Sequence, residues 1–213
     1  SQLGRLARLR QLDDGTRLFA QGDEADGLYG VLRGQVRISS QGADGRELLV
    51  NVFEPGGWFG EISMFDDLPR THDAAAQGAT DLLLIPKREF RALLEADPGL
   101  YPHFMRMLCR KLRRSFGYIE SAAFLPLRGR LAYRLAELVE LHGQANPDGS
   151  VTIGLHLPQD ELARMVNAAR PSVSRELKTL EADGLIALAY GEIRVLDAQR
   201  LAAVAEGQTS SRR

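Results

Sequence analysis

Two short stretches of this 213-residue chain carry side chains spaced for chemistry. The first is Gly60-Glu61-Ile62-Ser63, followed after an acidic turn by Arg70-Thr71. Gly60 ends an extended run and opens a short helix, so backbone amides over 61–63 can point at an anion. Arg70 supplies a guanidinium whose planar fork matches two phosphate oxygens, and Thr71 adds a hydroxyl donor. Glu61 in the same pocket would accept a hydrogen bond from a ribose hydroxyl. One acid for a sugar and one base for a phosphate suit a cyclic nucleotide. Taken singly, the same residues have a plainer use: Arg70 could pair with Glu61 or Asp67 at the surface, and Gly60 could be only a turn.

The second stretch, 157–185, divides into two short helices and a turn. Pro158 suits a first helical position, Leu162, Ala163 and Val166 face inward, and Asn167-Ala168-Ala169 makes the turn. Pro171 opens the second helix, which buries Val173, Leu177 and Leu180 and turns Arg170, Ser172, Ser174, Arg175 and Lys178 to solvent. The segments 185–188 and 192–196, joined by a turn at Tyr190-Gly191, form a wing. A helix of this kind enters the major groove, where arginine can grip guanine with two hydrogen bonds. Arg170 and Arg175 are the base-reading candidates, with Ser172, Ser174 and Lys178 on phosphates. The plainer use of these charges is to solvate an exposed helix face.

The elements that must position these residues follow from periodicity. Short runs of Val, Ile, Leu and Phe, broken by Gly, Asp, Asn and Pro, fill 13–85 in the manner of an antiparallel roll or jelly roll. Strands are expected at 29–38 and 47–53 with a hairpin at Asp44-Gly45. A short helix is expected over 86–96, ended by Asp97-Pro98-Gly99. A long helix over 101–123 repeats Phe104, Met107, Leu108, Leu112, Phe116 and Ile119 every three or four positions, which builds one apolar stripe for a dimer seam. Packing on its own domain would satisfy the same spacing. Phe124-Leu125-Pro126 breaks the helix as a hinge, 127–142 is helical again, and 143–149 is a turn-rich loop.

Composition narrows the class. The chain is 44% hydrophobic and 26% charged, with a formal net charge of −1, so any contact with nucleic acid depends on where the charges sit. Residues 128–213 carry equal numbers of basic and acidic side chains. The longest apolar runs are about five residues, far from the roughly 20 of a membrane-spanning helix. Residues 1–11 do not read as a secretion signal, although the chain starts without Met. One cysteine, Cys109, provides neither a disulfide nor the roughly four thiolates of an iron–sulfur cluster, and a cytoplasmic location fits. The four histidines, His72, His103, His142 and His156, are scattered rather than grouped as a cupin-like metal enzyme would need. His72 and His103 leave a haem ligand open.

With both stretches in this order and at this separation, the chain resembles the catabolite activator family, also called the cyclic-AMP receptor and fumarate-nitrate regulator (CRP/FNR) family. The resemblance implies an α+β fold in three parts: a cyclic-nucleotide-binding β-roll over 1–99, a dimerisation helix and hinge over 100–125, and a winged helix-turn-helix over 126–213. It implies that Gly60, Glu61, Ile62, Ser63, Arg70 and Thr71 hold the sugar and phosphate, with Ser115 and Phe116 near the base. It further implies a non-enzymatic homodimer on a palindromic duplex operator, contact with RNA polymerase, no membrane, and no required cofactor beyond an effector. Ser115-Phe116 stands where cyclic-AMP receptors usually have Thr-Ser, His72-Asp73 where small residues are usual, and Pro171 where the best-known receptor has a base-reading glutamate. The effector is therefore cyclic AMP, cyclic GMP or cyclic di-GMP. A ligand-independent DNA-binding dimer with a vestigial pocket is the alternative.

Overall fold

Alternation of core and outward-facing residues is clearest at the start of the strand over 73–86, whereas 27–31 are buried in succession and 8–12 contribute no buried residue. In a computed structural model, which describes residues 6–189 and 191–207, the apolar runs of the first half form β1 (Arg8–Leu12), β2 (Arg17–Phe19), β3 (Gly27–Gln41), β4 (Glu47–Phe53), β5 (Trp58–Phe59) and β6 (Asp73–Pro86). The sheet order is β1-β6-β3-β4, with β2 added to β6 and β5 to β3, and the pairings are antiparallel. Gly42 N donates to Arg46 O at 2.8 Å, closing the expected hairpin around Asp44-Gly45. Leu18, Tyr29, Val31, Val36, Phe59, Ala74 and Leu82 fill the core, with the Tyr29 and Phe59 rings stacked at 5.5 Å.

Between β5 and β6 lies a one-turn helix, α1 (Ile62–Phe65). Helix α2 (Lys87–Ala96) follows β6, then a 3₁₀ turn (Pro98–Leu100) and α3 (Tyr101–Phe124). Pro86 was expected inside α2; instead it closes β6 and caps the helix in an extended conformation. The ring of Phe104 on α3 meets Phe90 at 5.2 Å and Phe65 at 5.4 Å, edge to face. Phe104, expected at a dimer seam, is thus taken up within its own unit. Contacts divide the chain into units of residues 1–108 and 109–213, so the boundary falls inside α3.

In the second unit, α4 (Leu127–His142) buries Leu131, Ala132, Leu135 and Leu138. The segment expected as a loop after it contains a strand, β7 (Gly143–Ala145), paired with β8 (Val151–Ile153). All three residues of β7 are exposed, so it had no apolar alternation to announce it. Helices α5 (Gln159–Met165) and α6 (Arg170–Ala182) are followed by the wing, β9 (Ile186–Ala189) and β10 (Glu192–Val195), completing a sheet β7-β8-β10-β9. Of the expected wing turn, Tyr190 lies outside the described residues. A final helix, α7 (Ala198–Ala205), packs along α4 and is capped by Asp197, whose side chain accepts from Arg200 N at 2.9 Å.

Candidate functional site

In the first unit the chain carries Arg70 inward. Its backbone is clamped on both sides, with Arg70 N donating to Asp23 O and Gly22 N donating to Arg70 O, each at 2.8 Å. The residue is 3% exposed, and its guanidinium lies 4.3 Å from the centre of the Phe19 ring. Nη2 donates to Asp26 Oδ1 at 2.8 Å and to Gly27 O at 2.7 Å, and Nη1 donates to Gly60 O at 3.0 Å. Nε is buried and has no hydrogen-bond partner among the described residues. Gly60 is required twice here: its φ is +88°, and a Cβ would stand 2.7 Å from Arg70 Nη1.

A guanidinium grips an anion with two prongs along its Nη1–Nη2 end or its Nε–Nη2 side, and Nη2 belongs to both. Both hydrogens of Nη2 are committed to Asp26 and Gly27. A phosphate gripped this way must therefore displace one of those acceptors. The carboxylate that meets Arg70 is Asp26, which sequence reasoning did not single out. Asp67, one of the two acids considered for it, pairs instead with Lys87 at 2.9 Å and with Arg91; the Lys87 hydrogen bond holds its carboxyl below the ordinary value. Asp26 also accepts from the Tyr29 hydroxyl, and burial, reinforced by that carboxylate, raises the Tyr29 phenol above its usual range.

The other expected ligand residues divide. Glu61 is 2% exposed and stands at the start of α1, and Ser63 is buried with Oγ donating to Pro69 O at 3.2 Å. Ile62 and Thr71 face solvent, and Thr71 Oγ1 is 2.8 Å from His72 Nδ1. On α3, Ser115 is exposed and donates to its own helix at Lys111 O. Along the apolar stripe, Met107 and Leu108 are half-buried, while Leu112, Phe116 and Ile119 are 53%, 55% and 59% exposed. An isolated chain thus leaves three large apolar side chains in water on one helix face.

In the second unit the two-helix motif has the expected inner face. Val173, Leu177 and Leu180 on α6 are fully buried, against Leu162, Ala163 and Val166. The turn is made by Asn167, whose φ of +47° lets the chain reverse, and Ala168 N donates to Ala163 O at 3.0 Å. Arg170, Arg175 and Lys178 are exposed, and Ser172 and Ser174 are half-buried. Among the described residues Arg170 makes one ion pair, to Asp160 on α5 at 3.5 Å; both are well exposed, so duplex phosphates can compete for it. Among the described residues no group of three or more His, Cys, Asp or Glu could hold a metal ion, and no helix is long and apolar enough to cross a membrane.

Comparison with known proteins matches both units. Residues 9–97 fit the model of the cyclic nucleotide-binding domain, and residues 129–204 that of the Crp-like helix-turn-helix domain. A CRP-like cAMP-activated global transcriptional regulator of Mycobacterium tuberculosis is 31% identical over 188 residues, covering 88% of this chain and 84% of that one. The cyclic AMP receptor protein of Thermus thermophilus is 30% identical over 198 residues, 93% of this chain and 88% of its own length. Among solved structures, the c-di-GMP responsive global regulator CLP of Xanthomonas campestris superposes with a TM-score of 0.71 at 26% identity, covering 91% of this chain and 95% of that one.

Proposed function

Since the chain belongs to the CRP/FNR family of transcription regulators, we propose that it acts as a homodimer on palindromic DNA under the control of a cyclic nucleotide bound in the β-roll. The observation that carries this reading is the contact of Gly60 with the buried Arg70, beside the buried Glu61. It is an inward cation reserved for an acid, with a second acid next to it for a sugar hydroxyl. A cyclic phosphate displaces Asp26 from Arg70, and the exchange of one anion for another is the switching event. Leu112, Phe116 and Ile119 bury against the same helix of a second copy. The two α6 helices then read half-sites about 34 Å apart, Arg170 and Arg175 on base edges and Ser172, Ser174 and Lys178 on phosphates. Ligand must favour the competent arrangement by about 5.5 kcal/mol for a near-complete reversal. Contact with RNA polymerase belongs to the same reading.

Cyclic AMP, the ligand named for both curated relatives, is the first choice of effector. Cyclic GMP and cyclic di-GMP are the competitors. Calorimetric titration of all three into the wild-type protein and Arg70→Gln, with a gel shift on a selected operator, tests the reading. Saturable heat from one nucleotide, lost in the variant, supports it; identical titrations would refute it. The second reading, a ligand-independent regulator, is favoured by one observation: Arg70 already has a carboxylate and two carbonyls. Operator binding that is tight without nucleotide and unchanged by it would establish that reading.

A further inference from the structure

The second unit contains a partly open cavity of about 130 Å³ at the base of the DNA-binding motif. Tyr118 and Ser121 line it from the end of α3, Arg130, Tyr133 and Arg134 from α4, and Asn167 from the turn between α5 and α6. We propose that this cavity is a second effector site, for a small free phosphate anion held between Arg130 and Arg134, and that its occupancy adjusts the helix-turn-helix.

The charge of the cavity selects the ligand. Its lining contains two guanidinium groups and no carboxylate. Arg134 is buried and paired with Glu137 on its own helix. Arg130 is half-buried; among the described residues its side chain makes no hydrogen bond or ion pair, and its Nε is shielded from water with no acceptor. A cation taken partly out of water without a counter-charge is unfavourable, and an anion in the cavity removes that penalty. Arg130 and Arg134 are four residues apart on one helix and so share a face.

The phenols reinforce the choice. Burial raises Tyr118 and Tyr133 above their ordinary values, so both remain protonated and can donate. Two fork-shaped cations and two hydroxyl donors suit a tetrahedral oxyanion, which offers acceptors in several directions. Size agrees: about 130 Å³ falls below the roughly 300 Å³ at which pockets for larger organic ligands begin. The Tyr133 hydroxyl lies against Gly117, where a Cβ would collide with it, so α3 and α4 meet closely at this point. Because Asn167 also lines the cavity, a bound anion ties α4 to the reversal that orients α6; that regulatory part rests on the DNA-binding reading above.

Inorganic phosphate is the probe. It is titrated into the full chain by calorimetry, and thermal unfolding is followed at constant ionic strength with chloride as the control. Saturable binding is expected in the wild type, at least tenfold weaker in Arg130→Gln and two- to fivefold weaker in Tyr118→Phe. Without phosphate, Arg130→Gln unfolds no earlier than the wild type, since it removes an uncompensated charge. A rise in Tm that is equal in all three proteins is the general stabilisation by excluded anions and overturns the site. Weaker operator binding by Arg130→Gln in phosphate-free buffer also overturns it, by assigning the guanidinium to the duplex backbone. Phosphate binding without any change in operator affinity overturns the regulatory part. Cyclic-nucleotide titrations of the same variants stay as in the wild type, so failure of the β-roll reading is seen separately.

Discussion

Replacing Asp26 by Asn tests whether the carboxylate is a stand-in for a ligand phosphate. The substitution keeps the size and one acceptor oxygen for Arg70 Nη2, but removes the charge. Two unit charges about 4 Å apart attract by about 4 kcal/mol at an effective dielectric of 20. Asp26 has a side chain 48% exposed against 2% for Arg70, and solvent screening reduces the loss on folding to roughly 1–2 kcal/mol. Binding changes in the opposite direction. In the wild type an incoming phosphate displaces Asp26 from Arg70, and the displaced carboxylate, of like charge, stays on the order of 6 Å from it. That repulsion is worth about 1 kcal/mol between the dielectric limits, so Asp26→Asn should bind the cyclic nucleotide roughly fivefold more tightly while being less stable. Urea unfolding and calorimetry on the same preparation measure the two quantities. An affinity that falls tenfold would refute the argument, because Asp26 would then be holding Arg70 in place for the ligand rather than competing with it.

Three further outcomes follow from the geometry. Arg175→Ala should lower operator affinity by roughly 1–3 kcal/mol and relax preference at one base pair, whereas Lys178→Ala should weaken all duplexes alike and reduce the salt slope by about one; fluorescence anisotropy across potassium chloride concentrations separates them, and equal behaviour of the two would contradict the division into base and phosphate contacts. Phe104→Ala removes the edge contacts with Phe65 and Phe90, and because the ring is half-buried its cost should fall near 2–3 kcal/mol, below the roughly 3–5 of a fully buried ring; a loss under about 0.5 kcal/mol in urea unfolding would mean that the ring is not an anchor. Burial holds His72 below its ordinary value, with Asp73 opposing, so the unfolded chain takes up a proton at higher pH than the folded one; stability should decline as pH falls through about 6.5, by under about 1 kcal/mol for this half-buried ring, and His72→Gln should remove that part of the slope.

What could be read from the residues and what could not divide along one physical line. The inner face of α6 was legible because Val173, Leu177 and Leu180 recur at helical spacing, and that spacing alone puts them on one side. Gly60 and Arg70 were legible as a pair of chemical types, and the structure brings them into contact. Asp26 was not legible, because it lies 44 residues before Arg70 among acids that look like a solvated turn. Its meeting with Arg70 is produced by the backbone bonds from Gly22 to Arg70 and from Arg70 to Asp23, which no local period encodes. Phe104 marks the same limit on α3. Its spacing with Leu112, Phe116 and Ile119 says that these residues need cover, yet Phe104 finds it on Phe65 and Phe90 while the other three remain exposed. A period specifies a face, and only the packing of distant elements decides what meets it. For that reason the responses with most to teach are those of Asp26 and Arg130: one has a partner that sequence did not announce, and the other has none among the described residues.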